Sequence, residues 1–349
     1  MAAATGYTQR QLNMCGGDMT SIDAAEPFAL LTPDFVMDAV ESLGFLCDAR
    51  IFPLNSYENR VYQVGIDEAQ PIIAKFYRPA RWSAEQILEE HQFSAELAAR
   101  DIPVVPPIIH ADTSLFFYQG YPFALYPRRA GHAPELENLD QLYSLGQYLG
   151  RLHAMGAARP FVHRPTINVA TFAVASREFL LSNNNLPKTL LADYEKVSSL
   201  LIEKLDKQFG SVKFANIRLH GDCHPGNILW RDGAPNIVDM DDARNGPAMQ
   251  DLWMLLCGER HQQTQQMASI LEGYEEFHEF DRAQLRLIES LRSLRIMHYA
   301  AWLARRWGDP AFPKYFPWFG TDHYWQQHIF ELREQLSRLD EPPISLQYY

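Results

Sequence analysis

Apolar residues recur at two different intervals along this chain, and the change of interval divides it. In the first third, alternating or short continuous apolar runs dominate, as in "ARIFPL", "NRVYQVG", "PIIAKFY", "SLFFYQG" and "YPFALYP". Side chains of a strand point alternately to its two faces, so these five segments predict strands. Two helical patterns interrupt them. "LTPDFVMDAVESLG" predicts a helix with Thr32 as N-cap, Pro33 at the first helical position and Gly44 as the stop. "WSAEQILEEHQFSAELAAR" predicts a second, opened by the capping box Ser83-x-x-Gln86 and clasped by Trp82 and Ile87. From Asn138 onward the interval becomes three to four residues. Leu142, Leu145, Leu149 and Leu152 fall on one face, and further helices are expected near 171–181, 188–208, 247–258, 265–278, 282–307 and 322–338. A strand-rich stretch, 217–239, interrupts this helical part.

The pattern therefore predicts an α+β protein of two lobes, a small β-rich N-lobe and a larger helical C-lobe. The expected boundaries are an aperiodic, disordered extension over 1–26, an N-lobe over 27–126, a connector over 127–133 and a C-lobe over 134–349. Met14 and Met19 are alternative starting points within the extension.

Composition narrows the class. With 47% hydrophobic and 21% charged residues, the chain can bury an ordinary core without disulfides or structural metal. Cys15, Cys47, Cys223 and Cys257 form no C-x-x-C pair, which suits reduced thiols. No apolar run reaches the length of a membrane span, and the N-terminus lacks the core of a secretory signal, so a cytoplasmic location is expected. A net charge of −12 argues against nucleic acid or an anionic membrane as partner. A monomer is expected.

The candidate chemistry lies in "LHGDCHPGN", Leu219 to Asn227, which runs on as "ILWRDGAPNIVDMDDARNGPAMQDLW". "NILW" and "PNIVD" flank the turn signal Asp232-Gly233 and predict a hairpin. Such a hairpin brings Asn227 and Asp239 to one open end, about 5 Å apart across the pair. An amide oxygen and a carboxylate beside Asp222 are hard ligands suited to Mg²⁺, which takes one or two carboxylates and fills its remaining positions with substrate phosphates. In phosphoryl transfer the protein mainly positions groups and neutralises charge. Asp222 is then the proton acceptor, Asn227 and Asp239 the metal ligands, and Asp241 and Asp242 candidates for a second metal contact. Lys75, inside a strand-like run, supplies a cation for the phosphates. Its expected partner is Glu90, which shares the apolar helix face of Ile87, Ser94 and Leu97, rather than Glu89. The glycine-free segment "LNSYENR" is where a phosphate-covering loop would sit, with Ser56, Tyr57 and backbone N–H groups touching phosphate.

"HGDCHPGN" followed by "VDMDD" resembles the H-G-D-x-x-x-x-N and D-x-D pair of the aminoglycoside phosphotransferase and choline kinase branch of protein-kinase-like folds. More closely, "LNSYENRVYQ", "KFYRPARWSAEQILEEHQF", "LHGDCHPGNILWRDG" and "DDARNGPAMQDLWML" resemble the bacterial stress response kinase A family, from about Leu30 to Pro343. The resemblance implies a Mg²⁺-dependent serine/threonine protein kinase of stress responses, using ATP and a protein substrate, with ATP between the lobes and adenine near "FALYP". It implies catalytic roles at Asp222 and Asp239, metal ligation by Asn227 and Asp239, an ATP contact at Ser56, and a bracing role for Asp251 under the catalytic loop.

Rival readings stay open. A kinase for a small hydroxyl compound such as choline, homoserine or an aminoglycoside would use the same residues. A metal-dependent phosphoesterase would need further His/Asp clusters downstream, which 239–251 does not supply. A non-catalytic ATP-binding scaffold would keep ATP binding without transfer. A zinc site from His220, Cys223 and His224 has no second ligand cluster at a suitable spacing. The bland reading of His220 is a hydrogen bond to loop backbone, and Ser56 can equally serve turn chemistry.

Overall fold

The computed structural model describes residues 26–183 and 185–346. All but the last residue of the expected extension lies outside the described residues, as do Cys15, Met14 and Met19. The chain forms two compact units, and the architecture is α+β. The described part of the first unit comprises 26–91 and 106–128, and that of the second comprises 92–105 with 129–346, residue 184 excepted.

The first unit is built on a five-stranded antiparallel sheet. Its strands are β1 (Cys47–Leu54), β2 (Arg60–Ile66), β3 (Ile72–Phe76), β4 (Phe116–Tyr118) and β5 (Tyr121–Pro127), in the order β1-β2-β3-β5-β4. Helix α1 (Pro33–Glu41) begins as its sequence signals require, with the Thr32 hydroxyl accepting from Phe35 N–H and Gly44 at φ +85° beyond its end. It buries Phe35, Val36, Ala39 and Val40 in one cluster with Val64, Ala74, Phe76, Phe123 and Leu125. Burying four such side chains stabilises the unit by roughly 1.5–3 kcal/mol for each large one. Helix α2 (Ala84–Ala98) opens on the expected reciprocal cap: Ser83 N–H donates to Gln86 Oε1 (2.9 Å), and Gln86 N–H donates to Ser83 Oγ (3.3 Å). Trp82 and Ile87 pack together with Tyr77, Leu115 and Ala124.

A single boundary read along the chain does not describe the units. Residues 92–105 group with the second, because Phe93, Leu97, Ile102 and Val104 share a core with Leu152, Phe161 and Ile237. Val105 N–H also donates to Ile237 O (3.0 Å), and Ile237 N–H donates to Pro103 O (2.6 Å).

In the second unit, α3 (Leu139–Gly156) is capped by the Asn138 side chain and buries Leu142, Leu145, Leu149 and Leu152 completely. The later helices are α4 (Ala175–Ser182), α5 (Leu191–Ser211), α6 (Met249–Leu252), α7 (Arg260–Tyr274), α8 (Ile288–Arg306), α9 (Ala311–Tyr315) and α10 (Asp322–Arg338). A π turn at Ala170–Val174 precedes α4, and 3-10 turns at Trp253–Leu255 and Arg282–Leu287 take up residues expected to be α-helical. Helix α7 starts earlier than its apolar pattern suggests, because Glu259 and Gln262 form a capping box ahead of a polar first turn. Helices α3 and α7 touch backbone to backbone. A Cβ on Gly146 would lie 2.0 Å from Ile270 O, and one on Gly150 2.5 Å from Tyr274 O. This close approach brings His153 against Tyr274, and the site depends on that pair.

Two short sheets carry the candidate chemistry: β6 (Ile217–Leu219) with β9 (Arg244–Gly246), and β7 (Ile228–Arg231) with β8 (Ala234–Ile237). Asp232 and Gly233, at φ 52° and 81°, make the two-residue turn of the β7–β8 hairpin. The register corrects one expectation. Ile228 pairs with Ile237, and Val238 N–H donates to Asn227 O (2.9 Å). Asp239 therefore lies one residue beyond the position opposite Asn227, because a two-residue turn pairs Arg231 with Ala234 and every later pair follows.

Candidate active site

The loop from His220 to Asn227 is shaped by a carboxylate beneath it. Asp251, fully buried on α6, accepts hydrogen bonds from His220 N–H (2.9 Å), Gly221 N–H (2.8 Å) and His153 Nε2 (3.0 Å). His153 Nδ1 faces the Tyr274 hydroxyl at 2.9 Å, so the phenol donates and the imidazole passes its own proton toward Asp251. Burial pushes the Asp251 carboxyl up. The His153 hydrogen bond, the electrostatic influence of His153 and His220, and the Gly221 N–H outweigh this and hold it below the ordinary aspartate value. Asp251 is thus held as a carboxylate that satisfies two backbone donors of the loop.

The loop needs that brace because its path is tight. Gly221 adopts φ +85°, and a Cβ there would sit 2.1 Å from Asp242 O. Gln250 Nε2 donates to Gly221 O (3.0 Å). His220, wholly buried, has both ring nitrogens engaged. Nε2 lies 2.9 Å from Val238 O, and Nδ1 accepts from Asp222 N–H at 3.3 Å. These contacts select the tautomer with its proton on Nε2. His220 therefore ties the loop to the hairpin end, which is the backbone role its bland reading assigned.

Asp222 emerges from the brace with its carboxylate partly exposed. Oδ1 pairs with Arg295 Nη1 of α8, and Oδ2 lies 3.6 Å from His224 Nε2. Asn227 Nδ2 donates to Asp222 O (2.9 Å), which commits the amide nitrogen to the loop and leaves Oδ1 as the oxygen for a ligand. Asp239 is exposed and left-handed, at φ 60° and ψ 61°. For a non-glycine residue that conformation costs on the order of 1–2 kcal/mol and is typical of functional positions. Of the residues considered for a second metal contact, Asp241 is buried and Asp242 pairs with Arg244 at 3.0 Å.

The donor set suits magnesium better than zinc. Among the described residues no three or more His, Cys, Asp or Glu form a metal cage. His220 has spent its ring nitrogens on the protein. Cys223 is buried, and burial, then the charges of Asp251 and Asp222, push its thiol well above the ordinary value. An amide oxygen and a carboxylate are the partial set Mg²⁺ uses when phosphates complete its octahedron.

The first unit holds the other expected residues. Lys75 is buried on β3, paired in register with Ala124, and its ammonium lies 5.2 Å from the Tyr77 ring. Glu90 is buried on α2 whereas Glu89 is half-buried, as the helical spacing requires. His91 Nε2 lies 3.8 Å from Glu90 Oε2 and 2.7 Å from Tyr77 Oη, so one polar cluster contains all these groups. Ser56 is half-buried. Its hydroxyl accepts from Val61 N–H (3.1 Å) and donates to Leu54 O (3.4 Å), closing the turn between β1 and β2.

Sequence reasoning missed His153, Tyr274, Gln250 and Arg295. His153 sits beside Leu149 and Leu152 on an apolar helix face and carries no local signal. Arg295 follows Asp222 by 73 residues on a helix with no motif.

A family model described as "Phosphotransferase enzyme family" matches residues 50–288, more than half of the chain. The serine/threonine protein kinase RdoA of Salmonella typhimurium is 47% identical over 93% of this chain and 98% of its own length. Stress response kinase A of Escherichia coli strain K12 is 46% identical over the same shares. Among solved structures, amicoumacin kinase hAmiN in complex with AMP-PNP, Ca²⁺ and Ami has a TM-score of 0.70 at 18% identity, covering 90% of this chain and 95% of that one. Choline kinase from Cryptosporidium parvum has a TM-score of 0.59 at 13% identity, over 86% and 95%. These two likenesses show the protein-kinase-like fold alone. With the curated relatives matched almost end to end, the chain belongs to the stress response kinase A family of phosphotransferase enzymes.

Proposed function

We propose that this protein is a Mg²⁺-dependent ATP:protein serine/threonine phosphotransferase of the cytoplasm. The observation that carries the transfer chemistry is the loop braced by Asp251, which presents Asp222 and orients the Asn227 amide. The protein acceptor rests on the printed names of the curated relatives. Among the described residues no helix is long and apolar enough to cross a membrane.

In this reading the acceptor hydroxyl oxygen bonds to the γ-phosphorus, the bond to the β–γ bridging oxygen breaks, and ADP leaves. The hydroxyl proton passes to the Asp222 carboxylate. An ordinary aspartate is a weak base for an alcohol, but the transition state is loose and proton transfer late, so orienting the hydroxyl matters more. Asn227 Oδ1 and Asp239 would hold Mg²⁺, whose charge would offset that of the triphosphate. Lys75, buried in the same unit as Glu90, would meet the phosphates as a cation, and the turn at Ser56 would contact them through its hydroxyl and N–H groups.

The test is label transfer from γ-labelled ATP with Mg²⁺, comparing wild type with Asp222→Ala, Asn227→Ala and Asp239→Ala. Each receives a generic serine-containing protein and, separately, a pool of small alcohols. Label on protein that all three variants lose supports the reading. Label only in the alcohol fraction replaces it with a small-molecule kinase. ATP binding with no transfer by wild type defeats it in favour of a scaffold.

A further inference from the structure

The contact between Arg295 and Asp222 has no counterpart in the transfer chemistry above. Both residues belong to the second unit, and Arg295 reaches the carboxylate from α8. Its Nη1 meets Oδ1, and its one other contact among the described residues is Met254 Sδ at 4.0 Å. Nε and Nη2 are therefore uncommitted, and the side chain is 42% exposed. With His224 Nε2 at 3.6 Å from Oδ2, each carboxylate oxygen of the proton acceptor has a side-chain nitrogen beside it. An incoming hydroxyl has to displace or share one of these partners.

The neighbouring cations have carboxylate partners of their own, away from Asp222. Arg292, one turn earlier on α8, donates from Nη1 to both oxygens of Glu289 (2.8 and 3.1 Å) and lies over the Trp253 ring. Arg244 pairs with Asp242. Against a net charge of −12, Arg295 is the cation that touches the reacting group itself, with Nε and Nη2 still open. A guanidinium can hold one carboxylate at one edge and accept another at its second edge.

Building on the phosphotransferase reading, we propose that Arg295 is the acceptor-side gate of this site and the residue that reads the acceptor. It covers Asp222 Oδ1 until an acceptor arrives whose hydroxyl lies beside an acidic group. That group draws the guanidinium onto itself and frees Oδ1 for the hydroxyl. The acceptor class this predicts is a serine or threonine in an acidic peptide segment. The cover also keeps water from replacing the acceptor. When water does so, its oxygen bonds to the γ-phosphorus, the β–γ bridge breaks, and ADP and inorganic phosphate leave.

The test uses the full chain as wild type, Arg295→Ala and Arg295→Lys, each checked for an unchanged thermal melt. Release of inorganic phosphate from Mg–ATP is measured without acceptor. Then kcat and KM are measured for two serine peptides, one flanked by glutamates and one by glutamines. In Arg295→Ala, acceptor-free hydrolysis should rise several-fold. KM for the acidic peptide should rise about tenfold, or about 1.4 kcal/mol, with little change for the neutral one. Arg295→Lys should lie between, since it keeps the charge and loses the fork. Equal falls in kcat for both peptides, with unchanged KM and no gain in hydrolysis, would overturn the proposal and leave Arg295 as a support for Asp222. Unchanged behaviour in every assay would overturn it as well. A wild type that hydrolyses ATP but phosphorylates neither peptide overturns the protein acceptor, and the hydrolysis comparison still decides the gate. A wild type inactive in both assays defeats the phosphotransferase reading and the gate with it.

Discussion

The two loops that carry proposed roles, one in each unit, are built in opposite ways. The loop from His220 to Asn227 has its backbone donors bound by the buried Asp251, its ring nitrogens on His220 engaged, and its bend made by a glycine at φ +85°. The turn from Leu54 to Val61 contains no glycine and is closed by the Ser56 hydroxyl and by Arg60 Nη1 on the carbonyls of Tyr57 and Asn59 (3.1 and 3.2 Å). Leu54 and Tyr57 are exposed. A group that receives a proton or holds a metal must stay within a fraction of an ångström of its place, and a buried anion provides that constraint. A segment that covers phosphates must open and close, so weak, exposed bonds suit it.

The largest expected effect separates the loops by stability. Asp251→Ala leaves two buried N–H donors and His153 without an acceptor, and should lower unfolding free energy by about 3–5 kcal/mol, read from urea denaturation. Ser56→Ala removes one partly exposed hydrogen bond, and the same measurement should show a loss of about 0.5–1.5 kcal/mol. Equal losses would erase the distinction between a braced loop and a light turn.

Gly221→Ala comes next. The added Cβ meets Asp242 O and the conformation disfavours it, so a loss on the order of 1–3 kcal/mol is expected. Displacing Asp222 by about 1 Å should also reduce kcat about 100-fold. Full activity in this variant would show that the loop tolerates movement.

The pH dependence of stability gives a smaller signal. Because the folded Asp251 pKa is depressed, its contribution is complete above the unfolded aspartate value of about 3.9 and is lost as pH falls through the lower folded value. Chemical denaturation between pH 5 and the acid limit should show wild type losing stability that Asp251→Asn lacks throughout. Parallel curves would mean that the brace is not ionised. The smallest effect is kinetic: Ser56→Ala should raise KM for ATP a few-fold and leave kcat nearly unchanged.

Much of the architecture was legible in local signals. Thr32, the Ser83–Gln86 box, the Leu142 to Leu152 stripe and Asp232-Gly233 mark element ends and faces through contacts within a few residues, so no distant partner was needed to read them. Glu90 was distinguished from Glu89 by helical spacing alone. Where energy came from distant packing, the reading failed. Residues 92–105 look continuous with the first unit along the chain, but Phe93 and Leu97 find their burial beside Leu152 and Phe161. The Asn227–Asp239 pairing was off by one because register is set by the turn's residue count, which the apolar pattern of such short strands constrains weakly.

At the site the same division holds. The motif residues Asp222, Asn227 and Asp239 are close in sequence, and the roles proposed for them rest on residue type and spacing. What holds them cannot. His153, Tyr274 and Arg295 lie 67, 47 and 68 residues from the nearest residue of the loop, farther than the span of a whole helix. They reach it because α3 and α7 approach backbone to backbone and α8 presents one guanidinium to Asp222. A charge in the interior selects its partners by geometry in three dimensions, and no interval along the chain encodes that geometry.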